Sequence, residues 1–320
     1  GQRLVEIRTD VAVAPSTRVI DPNSIAVLPL ENLSPNPEDA YFAAGIHDAL
    51  ITSLSKINAL LVTSGQSARR VSRGLSVPEI GRQLGVSKLL GGSVLLDGNR
   101  VRVIVQLIDA ASDMNLWVDT YERDVTDIIN LQNEVARTIA DVVEIRLTPR
   151  EESVLAKKDR IQPDAYRTYL KGIYQFYQDT PEADYRGIQI LEEAVRQDPT
   201  SALAHAGVAY GYANIVHTPS PSPVTNAEMK AKQAAEIALG LDPELAEAHM
   251  ALGMYQYMYE WDFEAAEKSF KTAIELSPSL TLAHYPLAWA YEALGPDYEE
   301  ESLAAGRRTV ELSPLSPYMV

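Results

Sequence analysis

The sequence predicts an α+β protein in two parts: an N-terminal α/β domain whose mixed sheet is packed by helices, then an all-α solenoid of helix pairs. Three observations carry this. Four helix-like segments end alike, in RQDP, GLDP, ELSP and ELSP, with Pro199, Pro243, Pro278 and Pro314 spaced 44, 35 and 36 residues apart. A near-constant interval closed by a helix breaker marks a stacked helix-hairpin repeat. Three strand-like runs follow one another between Lys88 and Glu122, with Asp97-Gly98-Asn99 linking the first two as a tight turn. Thr148-Pro149-Arg150-Glu151 has the composition of a helix start and sets the boundary between an α/β domain over 23–148 and a repeat domain over 149–320.

The elements follow in order. Residues 1–22 form an arm in which Val5, Ile7, Val11 and Val13 alternate with polar residues, as in a half-buried strand. A lone strand is unstable, so the arm predicts pairing with a sheet edge in its own chain or in a partner, and strand exchange in a homodimer. Ile25 to Leu28 is a buried strand stopped by Pro29. Glu38 to Ile57 is a helix with Phe42, Ile46, Leu50 and Leu54 on one stripe. Leu60 to Thr63 is a second buried strand, and Val77-Pro78 opens a short helix that Gly85 closes. The three successive strands are Lys88–Leu95, Arg100–Ile108 and Leu116–Glu122. In the middle one Val101, Val103, Val105 and Leu107 share a face. A helix from Asp127 to Leu147 completes the unit, and the repeats run from Pro163, interrupted by a proline-rich surface insertion over His217–Pro223.

Composition narrows the function. The chain of 320 residues is 46% hydrophobic and 22% charged, as in an ordinary globular protein, and holds no apolar run long enough to span a membrane. Without cysteine it has no disulfide, thiol nucleophile or cysteine-bound zinc. The net charge of −16 is uneven: residues 1–150 carry −3 and residues 151–320 carry −13. So acidic an array repels phosphate backbones and anionic lipid, which argues against direct nucleic-acid binding.

No catalytic set emerges, and no cofactor or metal is expected. His205, His249 and His284 recur at equivalent repeat positions, but neighbouring helices lie about 8–10 Å apart, too far to share one ion, so each is expected to satisfy itself on a backbone carbonyl. His47 and Asp48 are adjacent on a helix and diverge, which makes a poor acid–base pair. Gly91-Gly92 within a strand points to a bulge or close backbone approach. The basic cluster Arg69-Arg70-Val71-Ser72-Arg73 is expected to be a solvated loop.

The segments LAHAGVAYGY, EAHMALGMYQ and LAHYPLAWAY, followed in the third repeat by Ala266, Phe270, Ala273 and Pro278, resemble tetratricopeptide repeats. The resemblance implies that Tyr210, Asn214, Met250, Met254, Tyr257, Met258, Tyr285 and Trp289, with Glu292 beside them, line a concave groove. Such a lining of aromatic and methionine side chains suits an apolar helix or an extended peptide. The tetratricopeptide subfamily that grips a C-terminal carboxylate has Lys and Arg at these positions, and this chain has neither there.

Residues 24–145 resemble the TolB-like amino-terminal domain, through Ile25-Ala26-Val27-Leu28-Pro29, Tyr41-Phe42, Gly45, Ile80 to Val86, Gly92-Ser93-Val94, Gln106 to Ala110, Leu116-Trp117 and Tyr121 to Asp124. The sequence departs from that family at Ala44 and Gly91, where acids are usual. The resemblance implies a regulatory region without catalytic residues, of the kind that follows a class III nucleotide cyclase, a winged-helix domain or a kinase, often with a membrane span between. The expectation is therefore a non-catalytic scaffold binding a protein or peptide. A small-molecule or glycan sensor, or an enzyme with a site between the domains, are the alternatives.

Overall fold

A computed structural model describes residues 20–72, 74–156, 162–178, 180–215 and 226–316. The strand-like arm at Leu4–Val13 and the proline-rich insertion at His217–Pro223 lie outside these residues. The described elements are strands β1 (Ser24–Val27), β2 (Glu31–Asn32), β3 (Leu61–Val62), β4 (Lys88–Asp97), β5 (Arg100–Asp109) and β6 (Met114–Asp124), and helices α1 (Ala40–Ser55), α2 (Gly65–Arg69), α3 (Val77–Leu84), α4 (Ile128–Val142) and α5 (Pro149–Ala156). The repeats then contribute α6 (Pro163–Phe176), α7 (Pro181–Gln197), α8 (Ala202–Asn214), α9 (Ala227–Leu241), α10 (Ala246–Tyr255), α11 (Phe263–Leu276), α12 (Thr281–Leu294) and α13 (Glu299–Leu312).

The sheet is mixed, in the order β3-β1-β4-β5-β6. β1 is parallel to both β3 and β4, β2 is parallel to β4, and the last three strands form an antiparallel meander. Val101, Val103, Val105 and Leu107 are buried in one core with Phe42, Ile46, Leu50 and Leu54 of α1 and Leu131, Val135 and Ile139 of α4. A smaller core on Leu84, Val86, Leu89 and Ala110 seats α3. Gly92 marks a close approach, because a Cβ there would meet the Ile104 carbonyl oxygen at 1.9 Å.

Local signals explain most boundaries. At α3, Ser76 and Glu79 form a reciprocal capping box, and Gly85 ends the helix at φ 68°. At α5, Glu151 accepts from the Thr148 amide and the Thr148 hydroxyl accepts from the Glu151 amide. α4 stops five residues earlier than the apolar pattern predicts. Glu144 takes a left-handed φ of 58°, and the Ile145 amide reaches back to the Ala140 carbonyl at 2.8 Å, a Schellman closure made without glycine. β2, paired with β4, and α2, whose first turn the Ser64 hydroxyl caps through the Ser67 amide, are further short elements.

The repeats form four consecutive helix pairs, α6/α7 to α12/α13. Where Gly253 of α10 faces Phe270 of α11, a Cβ would come within 2.6 Å of the ring, so glycine sets the spacing and Phe270 fills it. The three histidines behave as expected: Nε2 of His205, His249 and His284 lies 3.0, 2.8 and 2.8 Å from the carbonyl of the proline six residues earlier, tying each new helix to the turn before it.

Both ends of the array contact the α/β domain. At the front, Leu170 of α6 packs against Gly45 of α1, Tyr166 and Leu170 join the sheet core, and Arg167 donates to Gly98 and Asn99 at the β4–β5 turn. At the back, the closing turns of the last two repeats dock on the β3 edge. Ser279 accepts from the Val62 amide and donates to the Leu60 carbonyl, at 3.2 and 3.1 Å. Ser313 lies 2.8 Å from Ser64 and 3.2 Å from Ser67, while the Leu315 amide donates to Ser67. β3 has only two residues, and these serines supply hydrogen bonds that a further strand would otherwise give.

Candidate functional site

Helix α10 continues into a π turn over Gln256–Glu260, and the chain then turns through Trp261 at φ 54° before α11 starts at Phe263. Gln256 anchors this turn: its carbonyl accepts from the Asp262 amide at 3.2 Å and its side chain accepts from Ser269 at 2.7 Å. Asp262 in turn caps α11 through the Ala265 amide. A left-handed bulky residue is strained, and π turns concentrate at functional places in helices.

The outcome is a run of five aromatic rings across the third and fourth repeats. Tyr285 and Trp289, one turn apart on α12, have centroids 4.3 Å apart, and Trp289 lies 6.2 Å from Tyr257. Tyr257 is 5.3 Å from Phe263, and Phe263 meets Trp261 edge-on at 6.3 Å. Trp261 is 74% exposed and the other four are half-buried. Glu292 continues the Tyr285–Trp289 stripe of α12. Burial chiefly, with the Glu292 charge adding, raises the Tyr257 pKa above the ordinary phenol value.

Of the eight residues predicted to line the groove, the structure brings Tyr257, Tyr285 and Trp289 together. Tyr210 is separate, its ring 6.0 Å edge-on to Phe176, and Asn214 is half-buried at the end of α8. Met258 is half-buried in the π turn. Met250 and Met254, at 3% and 5% exposure, do not line an open surface, because they face the core that α10 shares with its neighbours. Trp261 and Phe263 were not foreseen, since the repeat pattern assigns them to a connecting turn; the signal was an exposed-type sequence, Glu260-Trp261-Asp262-Phe263, holding two aromatic residues.

A second cluster sits at the front joint. His47 Nε2 lies 2.9 Å from the Val27 carbonyl and Nδ1 lies 3.2 Å from Asp48, so the two neighbours meet after all. Arg69 binds the same Asp48 oxygen at 2.7 Å and covers the Tyr177 ring at 3.9 Å, correcting the expectation that this arginine is simply solvated. Burial opposes the Asp48 charge, yet the hydrogen bond from His47 and the Arg69 charge outweigh it and hold the carboxyl below its usual range. The cluster is self-neutralising and joins α1, α2 and the end of α6.

A cleft of about 340 Å³ between β6, α4 and α5 is lined by Arg123, Asp127, Asn130, Glu134, Arg137, Leu155 and Ala156. Arg123 in its lining pairs with Glu134 at 3.1 Å and Asp127 at 3.7 Å, so both carboxylates are engaged by charge pairing. Among the described residues no group of three or more histidines and carboxylates is placed to hold a metal ion, and no helix is long and apolar enough to cross a membrane.

No family model matches the chain. A protein of Rhizobium meliloti (strain 1021), provisionally named adenylate cyclase 3, is 33% identical over 201 residues, which is 62% of this chain and 34% of that protein. The chain therefore spans about a third of that relative's length. Among solved structures, a tetratricopeptide protein of Thermus thermophilus, TTC0263, matches with a TM-score of 0.40 and 15% identity, over 61% of this chain and 86% of its own. TolB from Acinetobacter baumannii matches with a TM-score of 0.30 and 14% identity, over 38% of this chain and 28% of its own. Likenesses of this size leave the fold to be judged on the chain's own packing.

Proposed function

We propose that this chain is a non-catalytic regulatory scaffold whose repeat array binds a protein segment on the aromatic run from Tyr285 to Trp261. The observation that carries the reading is a strained, exposed Trp261 continuous with four further rings, on an array whose two ends are already held by the α/β domain. Aromatic side chains give much contact area at low conformational cost, which is why they dominate binding hot spots. Binding there acts on an output domain elsewhere in a longer protein, and the relative's name makes a nucleotide cyclase the first candidate.

The test is selection of peptides from a random library on the wild-type protein. The expected result is an enriched family of sequences whose affinity falls about tenfold or more in Trp261→Ala/Tyr257→Ala. Enriched peptides that bind the double variant equally well place the binding surface elsewhere and overturn the reading.

A further inference from the structure

The array repeats one arrangement of a tyrosine ring, a carboxylate and a lysine. Lys230 lies 4.9 Å from the Tyr212 ring centre and 2.9 Å from Glu192; Lys232 lies 5.6 Å from the Tyr255 ring and 3.0 Å from Glu260; Lys271 lies 5.5 Å from the Tyr291 ring and 2.5 Å from Glu267. Each time a helix supplies the cation and the carboxylate pairs with it, while the tyrosine hydroxyl end lies against it, as where Lys230 donates to the Tyr212 hydroxyl at 2.8 Å. At the aromatic run a carboxylate again stands with the rings, Glu292 following Tyr285 and Trp289 along α12. Glu292 is exposed on α12, and among the described residues it makes no salt bridge. The surroundings are acidic, since Asp262 and Glu264 flank the exposed Trp261 and the half-buried Phe263, and residues 151–320 carry −13.

We infer that the cation is brought by the ligand: the aromatic run with Glu292 is a subsite for an arginine or lysine side chain of a basic protein segment. This rests on the binding reading above and names the chemistry of the partner. A guanidinium suits it best, because its plane stacks on tyrosine and tryptophan faces while its edge pairs with the carboxylate. Tyr257 and Glu292 hold the cation, and Trp261 and Phe263 cover the neighbouring apolar part of the segment. The net negative field of the array speeds encounter with a basic partner.

The experiment uses short synthetic peptides alternating arginine with leucine, together with versions carrying lysine, serine or glutamate in place of arginine. Binding is read by calorimetry and by the change in tryptophan emission that is lost in Trp261→Ala. The arginine peptide is expected to bind most tightly, lysine next, serine weakly and glutamate not at all. Glu292→Gln is expected to weaken the arginine peptide about fivefold to tenfold and to leave the serine peptide unaffected, whereas the charge-matched control Glu236→Gln on the exposed face of α9 changes neither. Equal weakening by Glu236→Gln and Glu292→Gln shows general attraction to an acidic array and overturns the inference. If serine and arginine peptides bind equally and both are lost in Trp261→Ala, the surface binds but takes no cation, so the inference fails while the functional reading stands. Absence of binding by every peptide overturns the inference, and the library selection then decides the functional reading separately.

Discussion

The first two repeats close on Asp198-Pro199 and Asp242-Pro243, the last two on Ser277-Pro278 and Ser313-Pro314, and the two kinds of turn do different things. In the first kind the carboxylate accepts from its own turn, Asp198 from the Thr200 amide and hydroxyl and Asp242 from the Glu244 amide, with the prolines exposed. In the second kind, Ser277, Ser279, Ser313 and Ser316 are all buried, and Ser279 and Ser313 bond across to the α/β domain. A charged acceptor suits a turn in water, while a small neutral hydroxyl that donates and accepts suits a dry interface. One repeated motif thus serves as punctuation in half of the array and as an attachment in the other half.

That contrast can be broken from its largest effect downward. Leu170→Ala removes the side chain that α6 seats on Gly45, and denaturant unfolding is expected to show a loss of about 2–5 kcal/mol. A loss under about 1 kcal/mol puts the front joint in doubt. Ser279→Ala strands the Val62 amide and Leu60 carbonyl together, for an expected cost of about 2 kcal/mol by the same measurement. Asp198→Ala, at the equivalent turn facing solvent, is expected to cost about 1 kcal/mol or less. Equal costs at the two turns remove the distinction drawn above.

A smaller effect comes with pH. Burial chiefly lowers the His284 pKa from 6.5, against its hydrogen bond to Pro278 and with help from the Arg308 charge. Between the unfolded value and the depressed folded one, the unfolded chain holds a proton that folded His284 refuses. Stability from this residue is therefore complete above the unfolded value of 6.5 and declines as pH falls below it. Thermal unfolding at neutral and mildly acid pH is expected to show a shallower decline in His284→Gln than in the wild type.

The repeats and the histidines were legible because their determinants are local: a proline closing each helix pair and, after the first three, a histidine six residues beyond it. The docking serines were not, since Ser279 and Ser313 read as turn residues like any other and their partners lie more than 200 residues away in sequence. The early end of α4 was hidden because Glu144, not glycine, adopts the left-handed cap. At the candidate site, the resemblance to tetratricopeptide repeats pointed to Tyr257, Tyr285 and Trp289, whose rings the structure brings together. It misjudged Met250 and Met254, whose burial depends on how neighbouring helices cross, and it passed over Trp261 and Phe263, which the π turn brings alongside.

The central claim, that the array is fastened back onto the α/β domain by its last turn, has a direct test because the chain has no cysteine of its own. Ser64→Cys with Ser313→Cys places two thiols where the hydroxyls now lie 2.8 Å apart. Mild oxidation of the monomer, followed by mass spectrometry of its proteolytic fragments, is predicted to recover the two segments joined by a disulfide. Two free thiols, each alkylated at the rate of an exposed cysteine, contradict the account.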